Sequence, residues 1–168
     1  MEIKFLIDND FINYKKPNMF IGFPHCTFKC DRECGEEVCQ NSPLVRQPNI
    51  DVKIEDIIRR YKNNPFTEAI VIGGLEPFDD WDALYALVCY LRVNGVLDDI
   101  VIYTGYYENE IEKYLCFLEM FPNIIVKFGR FIPQSCARFD EILGVELQSD
   151  NQYARMISFE LENNKESR

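Results

Sequence analysis

The chain has no excess of positive charge. Its 18 Lys and Arg face 28 Asp and Glu, a formal net charge of −10 over 168 residues. That balance disfavours the phosphate backbone of a nucleic acid and an anionic membrane surface as partners. No apolar run approaches the roughly 18 residues that span a bilayer, and the amino terminus lacks the apolar stretch and cleavage site of a signal peptide. The expectation is a cytoplasmic protein with reduced thiols. No internal repeat and no low-complexity linker is visible, so residues 1–168 read as one domain. An even cysteine count is also missing: seven make an awkward disulfide framework. The one histidine, His25, reads as a loop residue hydrogen-bonding nearby backbone.

What is present is a cluster of thiols. Four of the seven cysteines, Cys26, Cys30, Cys34 and Cys39, fall between His25 and Asn41. Crowding of this kind points to a metal or an iron–sulfur cluster. Zinc is open on spacing alone, because zinc sites use pairs two to four residues apart. Three thiolates on an iron–sulfur cluster leave one iron free for a small molecule, whereas four close it. Cys89 and Cys116 sit in helical patterns and read as small buried hydrophobes. Cys136 follows Pro133 in a loop and is assigned no role. The charges from Asp31 to Glu37 read as a solvated loop face.

The rest of the chain alternates strand and helix. Glu2 to Ile7 reads as a strand stopped by Asp8-Asn9-Asp10, and Met19 to Phe23 as a buried strand that delivers the chain to Cys26. The cysteine loop, about 24–48, contains Pro43 and Pro48 and predicts no regular structure. Ile54, Ile57, Ile58 and Tyr61 mark a helix, and Ala69–Ile72 a buried strand ending in Gly73-Gly74-Leu75-Glu76-Pro77. Asp79 or Asp80 caps a helix with Trp81, Leu84, Leu87, Val88 and Leu91 inside. Ile100–Tyr103 is a strand ending in Thr104-Gly105; Ile111, Tyr114, Leu115 and Leu118 define a third helix; Ile124–Phe128 is a further strand. Val145–Leu147 and Ala154–Phe159 read as short closing strands, and residues 162–168 as a polar, frayed tail. These βαβ units predict an α/β fold: a partial barrel of mostly parallel strands with outer helices. The cysteine loop, the glycine pair and Tyr103-Thr104-Gly105 each follow a strand and face one rim. There a glycine pair lets backbone approach a ligand, and its freed amides suit an amino-acid moiety. Thr104 and Tyr103 suit a ribose or adenine. Glu76 suits a substrate amine.

These residues resemble the radical S-adenosylmethionine enzymes, and within them the small activating proteins of anaerobic ribonucleotide reductase. Phe20-Ile21-Gly22-Phe23-Pro24-His25-Cys26 is similar to the strand entering that family's cluster loop, and Cys39-Gln40-Asn41 to its third cysteine and following asparagine. Gly73-Gly74-Leu75-Glu76-Pro77 resembles the glycine-glycine-acid-proline motif for the methionyl amino group. Tyr103-Thr104-Gly105-Tyr106, Gly129-Arg130-Phe131 and Ser149-Asp150-Asn151-Gln152 resemble later motifs, so the similarity runs from about Ile12 to Ser158. The chain departs from the pattern in its cysteine spacing, in Leu75, in Gln40 where an aromatic is usual, and in Phe128 where an aspartate is frequent.

The resemblance implies a [4Fe-4S] cluster on Cys26, Cys30 and a third thiol, Cys39 or alternatively Cys34. It implies S-adenosylmethionine as cosubstrate, with Gly73, Gly74, Glu76, Tyr103, Thr104, Gly105 and Asn41 as its binding residues. It implies an oxidoreductase that generates a 5′-deoxyadenosyl radical and, with it, a glycyl radical on anaerobic ribonucleoside-triphosphate reductase. A flavodoxin-type protein is the implied electron donor. Two other readings stay open: a radical enzyme acting on another protein or a small molecule, and an iron–sulfur or zinc module without turnover that uses all four thiols.

Overall fold

A computed structural model describes residues 1–161. Its centre is a six-stranded sheet in the order β10-β7-β6-β5-β3-β2. The four inner strands, β3 (Asn18–Phe23), β5 (Ala69–Gly74), β6 (Asp99–Tyr103) and β7 (Ile124–Phe128), are parallel; β2 (Phe5–Asp10) and β10 (Tyr153–Met156) pair antiparallel at the two edges. β5 is buried from Ala69 to Gly73 and β7 throughout, as strands covered on both faces must be. The fold is therefore mixed α/β with a mostly parallel central sheet, the class expected from the sequence.

Three helices carry the crossovers between the inner strands. α2 (Ile54–Asn63) turns Ile57, Ile58 and Tyr61 inward, with Glu55 and Asp56 in its first turn and Arg60 and Lys62 in its last, charges that suit the helix dipole. α3 (Trp81–Val93) buries Leu84, Leu87, Val88 and Leu91 at helical spacing, and α4 (Glu108–Leu118) buries Ile111, Leu115 and Leu118. All three pack into one core with Ile70, Ile72, Ile100, Ile102, Ile124 and Val126 of the sheet. Val71, Val101 and Ile125 point to the opposite face, where Tyr14, Leu143 and Leu147 cover them. The helices thus occupy one face only.

Several expectations are corrected. The first strand is two: β1 (Glu2–Ile3) pairs with β4 (Ile50–Asp51), and β2 continues through Asp10. The break is at Lys4, whose buried ammonium turns away to the Gln47 and Val45 carbonyls at 2.6 and 3.3 Å. The cysteine loop holds a short helix, α1 (Lys29–Cys34), and a 3₁₀ turn over Ser42–Arg46, with Pro43 near its start where a proline needs no donor. Asp80 stands at the N-cap of α3 as expected but makes no side-chain capping bond; the 3₁₀ turn before it, Pro77–Asp80, is capped by Glu76 through the Phe78 N–H at 3.2 Å. β8 (Arg138–Asp140), paired with β9 (Val145–Leu147), was not foreseen. Cys89 is half-buried and Cys116 and Cys136 are exposed, so the expectation of buried thiols fails at Cys116 outright. The frayed tail expected at 162–168 lies outside the described residues.

Candidate cluster site

Because β3, β5, β6 and β7 run parallel, their carboxyl ends open on one side, and a cavity of about 720 Å³ lies there. That volume lies within the range of ligand pockets. Cys26, Cys30, Cys39, Asn41, Gly74, Glu76, Tyr103, Thr104 and Gly105 all line it. Two residues singled out from the sequence do not. Cys34 is exposed at the end of α1. Gly73 is spent on packing: a Cβ there would stand 3.1 Å from the Phe20 ring and 3.3 Å from the Tyr103 Cβ.

Two of the three lining thiols, Cys30 and Cys39, are joined by a hydrogen bond, and Cys26 lies near enough for charge to act between it and each of them. The Cys30 thiol donates to Cys39; that hydrogen bond, then burial, pushes the Cys30 thiol up, and the same bond pulls Cys39 down to about 7. Burial pushes Cys26 up to about 12, although the Phe28 N–H donates to its sulfur at 3.2 Å. The Asn41 N–H also favours the Cys39 thiolate. Among the described residues no three His, Cys, Asp or Glu side chains gather around a single metal ion. Thiols spaced round a cavity and met by backbone N–H groups suit a larger group, an iron–sulfur cluster.

Next to the thiols the glycine-glycine turn is tightly specified. Gly74 takes φ +84°, and a Cβ there would sit 2.9 Å from the Gly22 backbone. The Leu75 N–H donates to the Phe23 carbonyl at 3.2 Å and Glu76 N–H to the His25 carbonyl at 2.7 Å, so the turn is pinned to the strand that carries Cys26. Leu75, extra in the motif, is absorbed as a buried side chain. Glu76 is buried and accepts from the Thr104 hydroxyl at 2.7 Å, the Gly105 N–H at 2.8 Å and the Phe78 N–H. Burial still outweighs these bonds and holds its carboxyl up at about 7. Thr104 and Gly105 therefore first position Glu76. The Tyr103 hydroxyl is likewise committed, to the Asn13 carbonyl at 2.6 Å.

Sequence reasoning passed over three groups at this site. Lys127, alone among apolar residues in β7, is buried, donates to the Gly129 carbonyl at 2.8 Å, and is pulled down to about 8 by burial despite the Glu76 and Cys30 charges. A lysine in an otherwise apolar strand was the available signal. Arg130, in the Gly129-Arg130-Phe131 stretch, is another such group: its guanidinium meets Glu110 at 2.6 Å and Glu33 at 3.2 Å and lies 4.7 Å from the Tyr107 ring centre. Asp31 was read as part of a solvated face. It instead accepts hydrogen bonds from the Val38 and Cys39 N–H groups at 2.9 and 2.8 Å.

Comparison with known families now decides the class. Residues 4–148 match the family described as 4Fe-4S single cluster domain. The chain belongs to this family. Searches of curated proteins and of solved structures return no match. As a 4Fe-4S single cluster domain, the chain has a [4Fe-4S] cluster as its supported cofactor, and the thiols lining the cavity fit that group. No helix among the described residues is long and apolar enough to cross a membrane.

Proposed function

We propose that this chain is a radical S-adenosylmethionine activase, built on a partial (β/α) barrel, that generates a glycyl radical on anaerobic ribonucleoside-triphosphate reductase. One observation carries the reading: three thiols and the Glu76–Thr104–Gly105 corner share one cavity, and the fourth thiol lies outside it. Cys26, Cys30 and Cys39 would hold the cluster, and three thiolates would leave one iron without a protein ligand. When bound, the cluster supplies single-electron reduction of a sulfonium. A closed four-thiol module is disfavoured by the exposure of Cys34.

The chain's own part is to bind, orient and exclude water. Glu76, costly to ionise while alone, gains from an ammonium at its free lone pairs, which suits the amino group of the cosubstrate. Gly74, whose bare Cα lets the turn close on the Gly22 backbone, lines the cavity beside Glu76, and Asn41 and Tyr103 form walls. A flavodoxin-type protein is the proposed electron donor, and the cytoplasm the proposed compartment.

The partner is tested by anaerobic incubation of the reconstituted protein with the reductase, S-adenosylmethionine and dithionite, read by electron paramagnetic resonance. A glycyl radical on the reductase is the expected result. Cleavage of S-adenosylmethionine without that radical would move the assignment to another protein or a small molecule. A colourless, zinc-containing anaerobic preparation would end the cluster reading.

A further inference from the structure

Residues 31–38 separate Cys30 from Cys39, yet the two sulfurs meet on the same cavity wall. The structure shows how the excursion is closed. Asp31 stands in the first turn of α1, and its Oδ1 accepts from both the Val38 and Cys39 N–H groups, at 2.9 and 2.8 Å. Its carbonyl accepts from the Gly35 N–H at 2.9 Å, where the chain turns through φ +74° with no atom within 4 Å of a built Cβ. On the far side Cys39 is held again, its carbonyl accepting from the Ser42 N–H at 3.1 Å and hydroxyl at 2.8 Å. One carboxylate oxygen thus ties the two ends of the detour together and leaves Cys34 on the exposed outside.

We infer that Asp31 is a positioning residue that presents Cys39 as the third cluster ligand and keeps Cys34 from that place. The inference rests on the cluster reading above. Hydrogen bonds to a carboxylate are the strong kind, and two converging on one oxygen fix the direction of the Cys39 backbone. The same carboxylate charge acts on both Cys30 and Cys39. Geometry and charge separate in two variants. Asp31→Asn keeps an acceptor oxygen and loses the charge; Asp31→Ala loses both.

The test uses the full chain, first without iron and then reconstituted anaerobically. In the iron-free protein, Asp31→Ala should speed amide hydrogen exchange at Val38 and Cys39 by roughly tenfold or more, the factor equivalent to about 1.4 kcal/mol, while Asp31→Asn stays near the parent. After reconstitution Asp31→Ala should hold several-fold less iron. Asp31→Asn should keep its iron and shift the cluster's reduction potential upward, a change that a purely structural role would not give. Unchanged exchange and iron in Asp31→Ala would overturn the inference. Should Asp31→Ala fail to fold, amide exchange at Val38 and Cys39 of the iron-free parent as fast as in an unstructured chain overturns it instead. Cys39→Ala is the control for the underlying reading: full iron in that variant removes Cys39 from the ligand set, whereas iron lost there but retained in Asp31→Ala rejects only the role of Asp31.

Discussion

The Thr27 N–H donates to Asp79 Oδ2 at 2.6 Å. Thr27 follows Cys26 directly, and Asp79 lies in the turn that follows Glu76, so this bond joins the cluster loop to the glycine-glycine turn across 52 positions. The other oxygen of Asp79 accepts from the Tyr106 hydroxyl, which brings the end of β6 into the same clasp. The site is held by links between strand ends, not by any one loop.

Removing that clasp has a measurable cost. Asp79→Ala deletes two hydrogen bonds to a charged acceptor and should lower unfolding free energy by about 2 kcal/mol. Asp79→Asn retains acceptor capacity and should lose less. Urea denaturation followed by circular dichroism reads both, and an Asp79→Ala midpoint equal to the parent's would show the clasp is idle.

Glu110 makes a pH prediction. Burial alone would raise its carboxyl, but hydrogen bonds from Arg130, the Tyr107 N–H and Lys29 pull it down to about 2. Below the ordinary carboxylate value near 4.5 the unfolded chain binds the proton and the folded one does not. Its contribution is therefore complete above about pH 4.5 and lost progressively as pH falls toward 2. Glu110→Gln should flatten the fall of the denaturation midpoint in that acid window. An equally steep fall in the variant would contradict the assignment.

Two glycines with similar φ separate strain from clash. Gly35 at φ +74° has open space around it, and Gly35→Ala should cost only the left-handed penalty of about 1–2 kcal/mol. Gly74 at φ +84° meets the Gly22 backbone at 2.9 Å, so Gly74→Ala adds an overlap that only backbone movement relieves. It should cost about twice as much, or prevent folding. Thermal melts of the two variants side by side check the order.

Much of the scaffold was legible in the sequence because hydrophobic periodicity and strand-end glycines are local signals. Ile57, Ile58 and Tyr61 in α2, or the run Ala69–Ile72 in β5, needed no tertiary information. The cavity residues at strand ends were legible for the same reason: parallel strands put their carboxyl ends on one side. What could not be read were contacts between segments distant in sequence. Lys4 breaks the first strand because it reaches carbonyls of residues 45 and 47. The bond from the Thr104 hydroxyl to Glu76, 28 positions away, is another such contact. Asp31 looked like a solvated charge because its partners, the Val38 and Cys39 N–H groups, are apparent only once the chain is folded, as is the ion pair that the exposed Glu33 makes with Arg130.

The central claim is that three thiols, Cys26, Cys30 and Cys39, support reductive cleavage of S-adenosylmethionine while Cys34 stands aside. The direct measurement is 5′-deoxyadenosine formed under dithionite by anaerobically reconstituted parent, Cys34→Ala and Cys39→Ala proteins. The account predicts product from the parent and from Cys34→Ala, and none above background from Cys39→Ala. Product from Cys39→Ala but not from Cys34→Ala would exchange the third ligand, and no product from the parent with its cluster in place would contradict the account itself.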